Sequence, residues 1–247
     1  MTVSHTPLIR DNRNRMPVRG HLAAFLCLAA LGAVGVGLCA LLMPGTSAVA
    51  VTVSVTFYVA AAGLAGWYFK RDYPHQRLGL CNTVTLIRLM MVSALLAPVI
   101  AGSAPSWAFF AVATLALTLD GIDGWLARRQ KLVSGFGARF DVEVDSILAL
   151  VLAVNAAFNA NVGVAIILLG LPRYAFALAA LALPWLHGDL PERFSRKVVC
   201  VVQLATLIAL QAPSFPGLAT SLIVPVASIA LLWSFAVDIL HLWRSRS

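Results

Sequence analysis

The sequence predicts an all-α integral membrane fold with about eight spans, arranged as a six-helix bundle preceded by an extra two-helix transmembrane hairpin. Composition is the first reason, because 60% of the 247 residues are hydrophobic, mean hydropathy is +0.88 and only 11% are charged. An average soluble domain carries about 25% charged residues. The second reason is a series of apolar segments near the ~20 residues that cross a bilayer as a helix. The third is that basic residues occupy every second connection between those segments.

Eight apolar segments follow a polar tail, and none shows the period-two alternation of barrel strands, so each is expected to be a helix. The segments are residues 21–43, 48–69, 80–101, 106–127, 138–160, 162–186, 195–212 and 217–242. The polar stretch 68–77 separates the first two segments from the others. We therefore divide the chain into a cytoplasmic tail (1–20), an N-terminal transmembrane hairpin (21–69) and a six-helix membrane domain (78–242).

The net charge of +8 indicates membrane topology, and no nucleic acid is expected as a partner. Lys and Arg cluster in the tail and after the second, fourth, sixth and eighth segments, whereas the alternate connections carry none. This positive-inside pattern predicts that both termini and the connection between the fourth and fifth segments are cytoplasmic. We expect a multi-pass protein of the plasma membrane, the inner membrane in a bacterium, in contact with membrane lipids.

Half of the ten acidic residues lie between positions 120 and 145. Asp120 and Asp123 are three residues apart, and Asp141 and Asp145 are four apart, so each pair shares one face of a helix. Four such carboxylates repel one another unless divalent cations hold them ionised, and oxygen-only ligands favour Mg²⁺ or Mn²⁺ over zinc. Because Mg²⁺ usually shares its coordination with substrate phosphates, the sequence predicts a substrate that carries phosphate.

Small and basic residues stand at fixed distances from these aspartates. The chain reads DGIDGWLAR from Asp120 to Arg128, then eight residues, then G-x3-D-x3-D from Gly137 to Asp145. This run resembles in full the signature of the CDP-alcohol phosphotransferase family, also called CDP-alcohol phosphatidyltransferases, which is D-x2-D-G-x2-A-R-x8-G-x3-D-x3-D. The stretch CNTVTLIR, residues 81–88, is similar to the family's N-x2-T-x2-R near its first core helix.

The resemblance implies that residues 78–242 form a six-helix membrane enzyme, usually homodimeric, of phospholipid biosynthesis. Such an enzyme moves a phosphatidyl group from a CDP-linked lipid, such as CDP-diacylglycerol, to an alcohol and releases CMP. It implies a two-metal site for Mg²⁺ or Mn²⁺, with Asp145 also the general base; the metal ligands are Asp120, Asp123, Asp141 and Asp145. The residues matching the family's contacts with the CDP-linked donor are Gly124, Ala127, Arg128, Gly137, Asn82 and Thr85.

Three basic residues are candidates for binding the acceptor alcohol. Arg88 and Arg173 lie well inside apolar segments, away from the basic clusters at the segment ends. Arg173 in such a position suits an anionic group such as an acceptor phosphate, or a structural partner such as a carboxylate. Lys197 lies in SRKVVCVVQ, which resembles a stretch of family members that use glycerol phosphate or phosphatidylglycerol. The acceptor stays open between these compounds and other alcohols. Glu143 is interpreted as a surface charge, and Asp238 as an interfacial salt-bridge partner.

Two other functions are compatible with acidic residues in membrane helices. A membrane prenyltransferase also pairs aspartates over Mg²⁺ and a pyrophosphate donor, although its motifs lie on well-separated helices. A divalent-cation transporter lines its pathway with acids, although Arg128 beside them would hinder a cation. Release of CMP from a CDP-linked lipid distinguishes the transferase from both.

Overall fold

The fold is described from a computed structural model of residues 19–158, 163–183, 185, 193–214 and 217–244. Regular structure in these residues is helical throughout, which confirms the predicted all-α class. The elements are α1 (Arg19–Leu41), α2 (Ala48–Asp72), α3 (Gly79–Ala94), α4 (Leu96–Ile100), α5 (Trp107–Gln130), α6 (Gly135–Phe158), a 3-10 turn (Val164–Ile166), α7 (Ile167–Gly170), α8 (Pro172–Ala182), α9 (Phe194–Ala209) and α10 (Gly217–Arg244). The predicted cytoplasmic tail lies outside the described residues, apart from its last two positions.

Five helices in the described part of the chain are long and apolar enough to cross a membrane. They are Gly20–Leu41, Ala48–Asp72, Gly79–Ile100, Trp107–Gln130 and Ala219–Arg244. Val164–Gly170 and Pro172–Ala182 make a sixth if this pair, bent by 66°, is one broken span. The chain is therefore a multi-pass membrane protein, and the expectation of about eight spans is confirmed only in part. Of the other two expected spans, α6 carries four charged residues in its first half and α9 has only 16 residues.

The first two helices pack against each other and against α3. Gly32 faces Tyr58 of α2, where an added Cβ would come within 2.0 Å of the phenol oxygen. Gly35 faces Met90 of α3, where a Cβ would lie 2.5 Å from the sulfur. These glycines let α1 approach both helices closely. The division of the chain into tail, hairpin and six-helix domain stays a prediction.

The centre of the fold is α3, which packs against α1, α2, α5 and α6. Within its span 61% of the residues are buried, against 11% for α1. Three buried polar residues, Asn82, Thr85 and Arg88, recur at every third position of α3 and so lie on one face. A buried polar face in a membrane helix requires partners. Thr85 and Arg88 find theirs on α5 and α6.

A short connection joins α5 to α6. The first helix ends because Lys131 adopts a left-handed conformation with φ 55°, and the Leu132 N–H donates to the Ala127 carbonyl at 3.0 Å. These features are those of a Schellman motif, which satisfies the last carbonyls of the helix. The next helix begins where the Ser134 hydroxyl accepts a hydrogen bond from the Gly137 N–H at 3.0 Å. The connection thus brings the end of α5 next to the start of α6.

Candidate active site

The four signature aspartates come together at the junction of α5 and α6. Asp120 and Asp123 lie in the last three turns of α5, and Asp141 and Asp145 lie in the first three turns of α6. One carboxylate oxygen from each of Asp120, Asp141 and Asp145 lies within 4.8 Å of the other two. Asp123 is the most buried member, with 5% of its side chain exposed. The other three are partly open, with 28% to 34% of each side chain exposed.

Arg88 joins these four carboxylates. Its side chain is fully buried and reaches from α3 toward α5 and α6. Nη2 lies 2.9 Å from Asp120 Oδ1, and Nη1 lies 2.8 Å from Asp123 Oδ2. Nη1 also donates to Asp141 Oδ1, and Nη2 to Asp145 Oδ1. Arg88 was expected near the acceptor, but its ion pairs lie within the aspartate group, which we call the acidic cluster.

Two further residues of α3 support the acidic cluster. The Thr85 hydroxyl donates to Asp123 Oδ2 at 3.1 Å, on the same oxygen that Arg88 contacts. Asn82 is 2% exposed and donates from Nδ2 to the Leu78 carbonyl at 2.6 Å. Its Oδ1 lies 3.6 Å from the position that a Cβ on Gly137 would occupy. The stretch that matches N-x2-T-x2-R therefore lies beside the main signature in space.

The remaining signature residues lie on the last turns of α5. A Cβ on Gly124 would meet only Arg128 Nη1, at 3.5 Å, so a ligand can approach the helix backbone there. The Arg128 side chain is exposed, one turn beyond Gly124. Ala127 sits between them with a single methyl group as its side chain. Their suggested contacts with the CDP-linked donor stay a prediction.

The donor set of the acidic cluster fits a divalent cation. Its four acidic side chains are carboxylates, which are the oxygen donors that Mg²⁺ and Mn²⁺ favour, and oxygens of Asp120, Asp141 and Asp145 lie close enough together to hold a metal ion. Arg88 contacts only one oxygen of each carboxylate, so the second oxygen of each can serve a cation. One guanidinium balances one of the four negative charges, and cations would balance the rest. The cluster therefore suits the divalent metal that the sequence predicts.

A cavity of about 360 Å³ opens beside Asp145, between α6, α8, α9 and α10. Its volume falls within the range of small-molecule sites, roughly 300–1,000 Å³. Basic residues Arg173 and Arg196 line it together with the polar Gln203, Ser234 and Asp238. A second cavity of about 410 Å³ lies between α2 and α6, and none of the four aspartates lines it. The first cavity can therefore present a molecule to Asp145.

Arg173 and Glu143 form an ion pair between α8 and α6. Glu143 is exposed, in keeping with its interpretation as a surface charge, and its carboxylate accepts a hydrogen bond from the Arg173 guanidinium. Of the two partners considered for Arg173, an anionic ligand or a structural carboxylate, the structure shows a carboxylate, that of Glu143. Both side chains are open, 42% exposed for Arg173 and 48% for Glu143. An exposed ion pair contributes only about 0–1 kcal/mol, so Arg173 can exchange Glu143 for a ligand.

Asp238 on α10 is a buried partner of two arginines. Its side chain is 9% exposed and lies 2.9 Å from Arg196 Nε and 3.2 Å from Arg193 Nη1. Arg196 lines the cavity, whereas Lys197 at the next position is exposed on α9. Sequence reasoning thus overlooked Arg196. Helical periodicity offered a signal, because Arg196, Val199, Cys200 and Gln203 follow the i, i+3, i+4, i+7 pattern of one helix face.

Fold and site together define a multi-pass helical membrane protein with an acidic cluster that can hold a divalent cation. The model of the CDP-alcohol phosphatidyltransferase family matches residues 78–240, about two thirds of the chain. The chain belongs to this family and is therefore a transferase of phosphatidyl groups from a CDP-alcohol. The match includes all eight signature positions and leaves α1 and α2 outside. Neither a curated protein nor a solved structure matches the chain significantly.

Proposed function

We propose that this protein transfers a phosphatidyl group from a CDP-linked lipid, such as CDP-diacylglycerol, to an alcohol and releases CMP. The observation that carries the proposal is the position of Asp145, which belongs both to the acidic cluster and to the wall of the 360 Å³ cavity. A metal site and an acceptor site would then share one carboxylate. Donor and acceptor could meet at that residue.

The acidic cluster would receive the pyrophosphate of the donor. Asp120, Asp123, Asp141 and Asp145 would hold Mg²⁺ or Mn²⁺ through the oxygens that Arg88 does not contact. Bound cations would neutralise the pyrophosphate and the departing CMP. Arg128 is exposed one turn beyond Gly124 and would extend positive charge along the nucleotide. Asn82, Thr85, Ala127 and Gly137 would border the same region.

Asp145 would act as the general base. It would take the proton of the acceptor hydroxyl, and the alcohol oxygen would form a bond to the phosphorus that carries the lipid. The bond from that phosphorus to CMP would break in the same displacement, so CMP leaves with the electron pair. A carboxylate suits this role because it contacts the cluster and also reaches the cavity. The partial exposure of its side chain leaves room for the acceptor.

The acceptor would carry a phosphate or another anionic group. Arg173 and Arg196 both line the cavity, and arginine binds phosphate through paired N–H donors. Glycerol phosphate fits this requirement, as does phosphatidylglycerol, whose phosphodiester is anionic and whose glycerol end carries free hydroxyls. Lys197 stays a candidate, because it is exposed and follows Arg196 in sequence. The cytoplasmic orientation of the site and the homodimer also stay predictions.

The experiment measures CMP release by the purified full-length protein with CDP-diacylglycerol, Mn²⁺ and a panel of alcohols. We expect CMP with a phosphorylated acceptor and little CMP with glycerol or inositol alone. Asp72→Asn is the matched control variant, because Asp72 pairs with Arg139 away from the cluster and should leave CMP release unchanged. No CMP with any alcohol would refute the proposal. CMP with only uncharged alcohols would refute the anionic acceptor.

Prenyl transfer is the second candidate, because it also needs a pyrophosphate on acidic residues. The family match and the single-turn spacing of Gly124 and Arg128 favour a CDP-linked donor over a prenyl pyrophosphate. Pyrophosphate release from a prenyl donor, in place of CMP, would reverse this preference. A cation transporter would move metal across vesicles without releasing either product.

A further inference from the structure

Arg88 occupies an unusual position for a positive charge in a membrane protein. Its side chain is fully buried in the most buried span of the described chain, and its Nε donates to the Ala116 carbonyl of α5 at 3.1 Å. The two terminal nitrogens contact four carboxylates, two on α5 and two on α6. All of its donor nitrogens therefore have partners on the two helices that carry the signature.

This arrangement keeps the Arg88 side chain out of the cavity. A residue with no exposed side-chain surface cannot touch a molecule in the cavity, and Arg88 does not line it. The same arrangement gives Arg88 a different task. Without a positive charge among them, four neighbouring carboxylates would repel one another and separate α5 from α6. Arg88, which lies on a third helix, α3, reduces that repulsion.

Arg88 and a divalent cation would balance the same negative charges. Arg88 takes Oδ1 of Asp120, Asp141 and Asp145 and Oδ2 of Asp123, which leaves the opposite oxygen of each carboxylate for metal. Two positive groups a few ångströms apart within one low-dielectric cluster repel each other. Arg88 and the cation should therefore each stabilise the acidic cluster more when the other is absent.

We propose that Arg88 is the built-in counter-ion of the acidic cluster, a positioning residue that keeps the four aspartates together when no metal is bound. The inference rests on the proposed metal-dependent function. It predicts that Arg88 lets the protein stay folded without metal, and that folding becomes dependent on metal when this charge is removed. Nothing in the signature itself assigns this role, because Arg88 lies 32 residues before Asp120.

The test measures the melting temperature of the purified full-length protein in detergent, in EDTA and across a Mn²⁺ titration. For Arg88→Gln we expect a lower melting temperature in EDTA than for wild type. The rise produced by saturating Mn²⁺ should be about twice that of wild type, because removal of the guanidinium that repels Mn²⁺ tightens metal binding, and a ligand bound more tightly stabilises the folded state more. A rise equal to or smaller than that of wild type would overturn the proposal.

Two further variants separate charge from packing. Arg88→Lys keeps the charge with fewer donors, so its Mn²⁺-induced rise should lie close to that of wild type. A rise as large as in Arg88→Gln would show that charge is not the cause. If Arg88→Gln does not fold, Arg88→Lys is compared with wild type directly, and a rise about twice that of wild type would overturn the proposal. Arg139→Gln removes an arginine paired with Asp72 outside the cluster and should leave the rise unchanged. If wild type itself shows no response to Mn²⁺, the metal site of the proposed function fails instead.

Discussion

Two groups of ion pairs border the same cavity, and they have opposite balances of charge. In the acidic cluster one arginine serves four aspartates, which leaves a formal charge of −3. In the second group Arg193 and Arg196 share Asp238, which leaves a formal charge of +1. Asp145 brings the first group to the cavity, and Arg196 with Asp238 brings the second.

The opposite charges of the two groups favour different ligands. The acidic cluster, with its excess of carboxylates, would attract cations, and the arginines beside the cavity would attract an anion. A transferase that moves a phosphatidyl group from a metal-bound pyrophosphate to an anionic alcohol, with CMP leaving, would need both kinds of site side by side. We expect the acidic cluster to bind the metal and the donor pyrophosphate, and the arginines to bind the acceptor.

Metal removal should have the largest effect, because it acts on the acidic cluster as a whole. We expect EDTA to abolish CMP release, and added Mg²⁺ or Mn²⁺ to restore it, as the pyrophosphate charge is no longer neutralised without metal. CMP release from CDP-diacylglycerol measures the effect. EDTA saturated with Mn²⁺ beforehand serves as the control and should not inhibit. Full activity in EDTA would contradict a metal role for the cluster.

Asp145→Asn should have the next largest effect. A positioned general base contributes roughly 10²- to 10⁴-fold to a rate, so we expect kcat to fall by about that factor. Donor binding should persist, because three aspartates and Arg88 remain; it can be measured as protection from thermal unfolding by the CDP-lipid. Asp72→Asn is again the control. A kcat near that of wild type would remove Asp145 from the base role.

Arg173→Ala should act on the acceptor and spare the donor. A hydrogen bond to a charged group contributes about 1.5–3 kcal/mol, so we expect the KM for a phosphorylated acceptor to rise about 10- to 100-fold. The KM for CDP-diacylglycerol should not change. Initial rates measured against each substrate in turn distinguish the two. An equal rise in both KM values would mean that Arg173 supports the whole fold rather than the acceptor site.

Glu143→Gln should have the smallest effect, and in the opposite direction. Its carboxylate competes with an acceptor phosphate for Arg173, and the pair is exposed. Releasing an exposed ion pair changes an affinity by up to about 1 kcal/mol, so the acceptor KM should fall about two- to fivefold. The double variant with Arg173→Ala should resemble Arg173→Ala alone. A raised KM in the single variant would instead show that Glu143 orients Arg173 productively.

The acidic cluster could be anticipated because its geometry is local. Spacings of three and four residues fix which side chains share a helix face, and the short connection between α5 and α6 makes the two faces neighbours. The contacts of Arg88 with the four aspartates could not be anticipated in this way. Contacts between α3 and the later helices depend on packing across the fold, and a sequence pattern within α3 gives only the face.

The residues that line the cavity were harder to predict than the acidic cluster, for a related reason. Neighbouring positions on a helix point about 100° apart, so the choice between Arg196 and Lys197 depends on the rotation of α9. The expectation of about eight spans, which rested on apolar content, is confirmed only in part. In α6 the functional charges interrupt the apolar run, and Leu171 with Pro172 divides another segment into two helices.

The shortness of α9 has a consequence for the bilayer around the protein. Sixteen helical residues extend about 24 Å, several ångströms less than a hydrocarbon core of about 30 Å. The neighbouring segment is divided by a 66° bend and is no better matched to that thickness. Were α9 to span the bilayer, as the sequence predicts, the lipids beside it would thin to meet it. A polar acceptor would then cross less hydrocarbon to reach Asp145 on this flank than on the flank of α1.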